Sequence, residues 1–349
     1  MTTFRALRLV AQNQPLVETE LAIPELAAGE ALVSVQAAGI CRSDVHYLQG
    51  SPKLPPLPRT LGHEVAGVVE SLGPNPPAGI MEGLRVGVHY QTSCGTCRFC
   101  LAGNDQFCVS GQMVGNGRDG GYAEMIVVPA RNLVAIPDGV AIEHAAVMMC
   151  SSATSYHALR KARLEPGERV AVFGLGGLGQ SAAQLALALG ASAVYAVDLN
   201  PAKAALAAHY GAIPIAGGEG AVDAILEDSG GVDVSLELVG LAETMRQAVG
   251  VLGPQGRAAA VGLAEEPFLI DAYEDLVLRE AEIIGVSDHL ASELPTLLDL
   301  AARGDLDLSR VVSNQVPLEA GPVNRALDDL VAFGDEVRTV IVPFPPEHP

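Results

Sequence analysis

Six cysteines among 349 residues are the first chemistry that the sequence offers. Four of them, Cys94, Cys97, Cys100 and Cys108, fall within fifteen residues of a turn-rich stretch, TSCGTCRFCLAGNDQFC. Thiolates brought together by turns in this way suit a closed tetrahedral zinc site, which leaves no coordination position for a substrate. A ferredoxin-type cluster sets its last Cys closer and follows it with Pro, whereas here seven residues intervene and Val109 follows. Four unrelated buried cysteines is the blander reading, and the density of the run argues against it.

The remaining pair, Cys41 and Cys150, stand 109 residues apart. Cys41 lies in GICRSDVH at 39–46, and between the two comes Gly62-His63-Glu64, a His followed directly by a carboxylate. Two Cys and one His bind zinc and leave a fourth position for water or substrate, the arrangement of a catalytic zinc. Spacing alone leaves this open, because a lone Cys or His is more often packed or exposed than metal-bound.

A third constellation is GLGGLG. Gly174 permits a tight turn, Gly176 and Gly177 let a pyrophosphate approach the backbone, and Gly179 lets helix and strand pack closely. The motif follows the apolar strand RVAVF and opens a helical stretch, which is the context that raises it above an ordinary Gly-rich turn. Nineteen residues beyond Gly179 stands Asp198, at the end of AVYAVD, where a carboxylate hydrogen-bonds the adenosine ribose and repels a 2′-phosphate. Leu199 and Asn200 supply no Arg to hold such a phosphate, and Lys203 is close enough to reach the ribose. The expectation is therefore NAD. Asp198 also suits the cap of a helix begun at Pro201, and the two roles are compatible.

The elements that must position these groups change texture at Cys150. Before it come short strands broken by Gly and Pro, among them ALVSVQAAGI, HEVAGVVESLG and YAEMIVVP. After it, apolar strands alternate with Ala-rich helical stretches, the pattern of a parallel sheet covered by helices. A strand at 281–287, a helix around 291–303 and a returning strand at 336–343 follow. The expected architecture is α/β in two domains: a β-rich catalytic domain of residues 1–152 and 288–349, and a Rossmann doubly wound nucleotide domain of residues 153–287.

Composition excludes several classes. Hydrophobic residues make up 49%, too many for a disordered chain, yet no apolar run reaches the twenty or so residues of a membrane helix. A formal charge of −20 repels phosphate backbones and anionic lipids, so neither nucleic acid nor membrane is an expected partner. The opening MTTFRALRLV alternates like a strand and lacks the apolar run of a signal peptide, so a soluble cytoplasmic protein is expected.

Together GICRSDVH, GHEVAGVVESLG at 62–73, the cysteine quartet, Cys150 and GLGGLG resemble the zinc-dependent alcohol dehydrogenases of the medium-chain dehydrogenase/reductase superfamily, over essentially the whole chain. The resemblance implies a GroES-like fold for the first domain and two zinc ions per chain. Catalytic zinc is then held by Cys41, His63 and Cys150, with Glu64 beside it aiding ligand exchange, and the quartet holds a structural zinc. Ser43 takes the alcohol proton and passes it, by way of the cofactor ribose, towards His46, while Asp44 orients the metal-bound His63. Arg42 and Arg338 face the cofactor pyrophosphate, Thr154 and Val261 contact nicotinamide, and Leu178 packs on that ring. Tyr90 corresponds to an aromatic wall of the substrate pocket, a place that a plain core Tyr fills equally well. The implied reaction is reversible hydride transfer between a primary or secondary alcohol and NAD, giving an aldehyde or ketone, in a homodimer or homotetramer. A polyol or formaldehyde-type dehydrogenase is the nearest alternative, and a dinucleotide-binding protein without activity a more distant one. Cys at position 150, where some secondary-alcohol relatives carry Asp and polyol relatives use Glu nearby, weakens the polyol reading.

Overall fold

The computed structural model describes residues 3–50, 56–264, 266–332, 334 and 336–344. The chain divides into two compact units, one of Met1–Cys150, Leu290–Ala302 and Val312–Pro349, the other of Ser151–His289 and Arg303–Val311. The sequence assigns 288–349 as a block to the first domain, but 303–311 groups with the second unit. That segment buries Leu306, Leu308 and Val311, and Gln184 donates to the Asp307 carbonyl at 3.0 Å and accepts from the Asp307 N–H at 2.8 Å.

In the first unit a seven-stranded sheet is built around Glu30–Gly39. One edge of that strand pairs antiparallel with Glu64–Leu72. The other edge pairs with Met125–Pro129 through residues 30–34 and with Arg338–Val342 through residues 38 and 39. Nearly every residue of Glu30–Gly39 is buried, which is why the strand reads as an apolar run instead of alternating. The core of Leu7, Val33, Val35, Val65, Val86, Val128 and Ile341 closes on it.

The second unit holds a six-stranded sheet in the order Ile213–Ala216, Ala193–Asp198, Arg169–Phe173, Val232–Glu237, Leu252–Ala260 and Glu282–Gly285, with every pairing parallel. This is the doubly wound nucleotide-binding order, whose direction reverses between Arg169–Phe173 and Val232–Glu237. Parallel neighbours need crossover connections, and the helices Gly177–Ala188, Pro201–His209, Ala221–Ser229 and Ala242–Gly250 supply them. The fold is thus a mixed α/β one with a parallel-sheet Rossmann-like unit. Among the described residues no helix is long and apolar enough to cross a membrane.

Candidate active site and metal centres

Cys41, His63, Glu64 and Cys150 are all buried, and the ligand atoms that they offer lie within 4.8 Å of one another. Sheet register produces the meeting. Gly39 pairs with Glu64, so Cys41 and His63 stand just beyond the paired strand ends. A Cβ at Gly39 would collide with the Glu64 carboxyl, so only glycine admits so close an approach. Cys150 arrives from the helix Ile142–Val147, which packs on both strands and continues into a π-helical turn, Met148–Ser152. Such turns are frequent at functional sites.

The short helix Arg42–Gln49 starts at Cys41, and Asp44 in its first turn reaches back to accept from the Cys41 N–H at 3.0 Å. The same carboxylate accepts from the Gly62 N–H at 3.2 Å and from the Tyr122 hydroxyl at 2.8 Å, and its Oδ1 lies 3.4 Å from His63 Nδ1. Both ring nitrogens of His63 are buried, and neither makes a hydrogen bond among the described residues. Tyr47 and Tyr90 set their rings edge-on to His63, with centroids 6.4 and 5.4 Å away.

Glu64 meets the Arg338 guanidinium, and burial pushes its carboxyl up to about 7, with Arg338 limiting the rise. The hydrogen bond between the two thiols pulls Cys41 well below the ordinary thiol range and holds Cys150 well above it. Two thiols of opposite tendency and an orphaned imidazole nitrogen form a donor set that a divalent zinc ion fits, since it takes both sulfurs as thiolates and the nitrogen as neutral imidazole. Ser43 Oγ lies 3.9 Å from Cys41 Sγ, and His46 is one helical turn further along, with both side chains partly exposed.

The quartet is a separate cluster whose four sulfurs also lie within 4.8 Å of one another, at intermediate exposure. Its own loop supplies the N–H groups that favour thiolate. Thr96 and Cys97 donate to Cys94 Sγ at 3.4 and 3.3 Å, and Cys94 donates to Cys108 Sγ at 3.2 Å. The Thr96 N–H is the main reason that Cys94 falls to about 5, while burial pushes Cys100 up to about 11. The four sulfurs suit a closed zinc site.

In the second unit Gly174 has φ +92°, and a Cβ at Gly179 would strike the Gly174 carbonyl, so both glycines are sterically required. Gly176 precedes the helix that starts at Gly177. Asp198 Oδ2 accepts from the Leu175 N–H at 2.7 Å and Oδ1 from the Asn200 N–H at 2.8 Å, which places the carboxylate beside the Gly-rich turn. The cap of Pro201–His209 is Asn200 and not Asp198, with its side chain accepting from the Ala202 N–H at 2.9 Å. Gln180 donates to the Lys203 carbonyl at 2.8 Å, fixing that backbone against the Gly-rich helix.

Two family models match the chain: an alcohol dehydrogenase GroES-like domain over residues 27–138 and a zinc-binding dehydrogenase over residues 177–303. An alcohol dehydrogenase of Geobacillus stearothermophilus is 36% identical over 311 residues, covering 88% of this chain and 90% of that one. An NAD-dependent alcohol dehydrogenase of Sulfurisphaera tokodaii is 32% identical over 97% of this chain and all of its own length. The chain belongs to the zinc-dependent alcohol dehydrogenases. Their fold is matched as well: the crystal structure of a thermostable alcohol dehydrogenase from Pyrobaculum aerophilum superposes with a TM-score of 0.88 at 30% identity, covering 98% of this chain and all of that one.

Within this dehydrogenase the structure brings Cys41, Ser43, Asp44, His63, Glu64, Tyr90 and Cys150 into one unit. Arg338, expected at the pyrophosphate, is only 5% exposed and turns its guanidinium onto Glu64. Arg42 donates to the Leu330 carbonyl at 2.9 Å. On the nucleotide unit, Thr154 is nearly buried, the Leu178 carbonyl accepts from the Ser155 hydroxyl at 2.8 Å, and the Val261 N–H donates to the Glu237 carbonyl at 3.0 Å.

Two groups escaped the sequence reading. Glu237, buried at the end of its strand, accepts from the Val239 and Gly240 N–H groups and from the Thr244 hydroxyl at 2.7–2.9 Å, and so organises the loop beside Val261. The signal was a carboxylate closing the apolar strand VDVSLE, just as Asp198 closes AVYAVD. The second, Tyr122, carries only the preceding Gly120-Gly121 as a sign.

Proposed function

We propose that the chain catalyses the reversible NAD-linked oxidation of primary or secondary alcohols to aldehydes or ketones. The observation that carries this reading is the convergence of Cys41, His63 and Cys150, three donors with Ser43 beside them, in one buried cluster. They are assigned to a catalytic zinc, and the quartet to a second, structural one. When bound, zinc supplies the Lewis acid that lowers the pKa of a coordinated hydroxyl, as it lowers water from about 15.7 to about 7, and NAD supplies the two-electron acceptor.

The chain's own groups do the rest. Ser43 receives the hydroxyl proton and His46, a turn further along the helix, leads it towards solvent. Asp44 keeps His63 and the Cys41 backbone in place, and Glu64 stands ready beside the thiolates to assist exchange of the fourth ligand. Tyr90 walls the substrate side. Arg42 and Arg338 are assigned to the pyrophosphate, Arg338 from its place against Glu64. Thr154, Leu178 and Val261 are assigned to nicotinamide. Asp198 and Lys203 are assigned to the ribose, where the Asp198 carboxylate disfavours a 2′-phosphate and so supports NAD over NADP.

Six free thiols suit a reducing cytoplasm. The strand Glu282–Gly285 has a single neighbour in its sheet among the described residues and offers an edge for assembly into a dimer or tetramer. Initial rates for primary, secondary and aromatic alcohols with NAD and with NADP test the proposal. Turnover with simple alcohols and a preference for NAD are expected, and absence of turnover with any alcohol, or a clear preference for NADP, would refute it in whole or in part.

A further inference from the structure

We propose that Tyr122 is a positioning residue for the metal centre, its phenol holding Asp44 and thereby fixing the two loops that carry Cys41 and His63. The inference rests on the assignment of those residues as zinc ligands.

Tyr122 is fully buried. Its backbone segment runs alongside the approach to His63: Gly120 N–H donates to Thr60 O, Gly121 N–H to Gly62 O and Tyr122 N–H to Leu61 O, at 2.8–3.0 Å. The phenol ring lies directly over Gly62, where a Cβ would collide with it, and Gly62 has φ +92°. Glycine at 62 is therefore what lets the ring pass, and beyond it the hydroxyl reaches Asp44 Oδ2 at 2.8 Å.

Asp44 also contacts both ligand loops: Cys41 N–H on Oδ2, Gly62 N–H on Oδ1, and His63 Nδ1 near Oδ1. Those contacts tie the carboxylate to the groups that it is supposed to orient. Tyr122 adds a further tie: its segment, bonded on one side to residues 60–62, is also anchored through its carbonyl to Leu7 N–H at 2.8 Å. A Phe would fill the same space, so packing does not require the hydroxyl. Burying an unpaired hydroxyl is costly, so its presence is explained by the bond that it makes. Burial and the adjacent carboxylate keep the phenol well above its ordinary pKa, so it remains a donor.

Loss of a direct outer partner of a metal ligand weakens metal affinity by roughly 10–100-fold, and Tyr122 stands one bond further out, so about 3–10-fold is expected. The test uses the zinc-loaded full-length protein as wild type, Tyr122→Phe, Asp44→Asn and the double variant. Zinc retention is measured against a graded series of a chromophoric chelator, with the quartet's zinc as the reference within each molecule and thermal unfolding as the check on the fold. The expected result is that Tyr122→Phe releases the Cys41–His63–Cys150 zinc at about 3–10-fold lower chelator activity. The quartet's zinc should be unmoved, and the effect should vanish in the Asp44→Asn background. An unchanged release midpoint, equal weakening of both zinc sites, or an undiminished effect when Asp44 is already Asn would each overturn it. A wild-type chain whose quartet is full but which binds no second zinc would overturn the ligand assignment, and this inference with it.

Discussion

The two sulfur clusters are made of similar donors by opposite means. Cys94, Cys97, Cys100 and Cys108 meet because one loop folds back on itself, and the N–H groups that favour their thiolates come from that loop. Cys41, His63 and Cys150 meet because two strands pair in the register Gly39 to Glu64 and a helix packs across them. The first cluster depends on local chain and is partly exposed; the second depends on the core of its unit and is buried. Four thiolates would complete a coordination shell and make a brace, whereas two thiolates and an imidazole, with Glu64 held on Arg338, would leave a position for chemistry.

This contrast can be broken or sharpened by substitution, in order of the effect expected on turnover. Cys150→Ala removes one of three donors and should cost at least about 1,000-fold in kcat/KM, since a Lewis acid accounts for several kcal/mol of barrier. Its thermal unfolding should stay near that of the wild type; a variant that turns over normally would show that the buried cluster is not the reaction centre. Ser43→Ala leaves every metal donor in place, so steady-state kinetics should show kcat lower by about 100-fold with zinc content intact. Asp198→Ala touches neither cluster. The ratio of kcat/KM with NAD to that with NADP should fall by about 10-fold, the worth of one charged hydrogen bond, and an unchanged ratio would remove Asp198 from cofactor selection. Cys97→Ala should change turnover per folded molecule by about 2-fold or less, while calorimetry records a Tm lower by about 5 °C or more. Normal Tm with lost turnover would mean that the roles of the clusters are reversed.

The same contrast explains what could be read in the sequence. A cluster built by local turns announces itself through spacing, so the quartet was legible from four cysteines alone. The alternating texture after Cys150 and the GLGGLG turn likewise carry their geometry in short windows. The buried cluster does so only weakly: residue types suggested Cys41, His63 and Cys150 as a set, but nothing in their spacing specifies the register that joins them, and their roles came from the resemblance to a family. The contacts of Asp44 were legible only in part, because Tyr122 approaches it from 78 residues away across a pairing that no local pattern predicts. Asn200 in place of Asp198 as helix cap rests on a local polar contact, and the grouping of 303–311 with the nucleotide unit on the Gln184–Asp307 pair and a few buried apolar residues, none of which leaves a periodicity.

The central claim is that the chain has two zinc sites of different construction and different use. Metal analysis of purified wild type, Cys150→Ala and Cys97→Ala tests it most directly. The account predicts two zinc ions per chain in the wild type and one in Cys150→Ala, whose remaining ion stays in the quartet and does not support turnover. It predicts one also in Cys97→Ala, which keeps turnover. A wild type with a single zinc, or a Cys150→Ala variant that retains both, would contradict it.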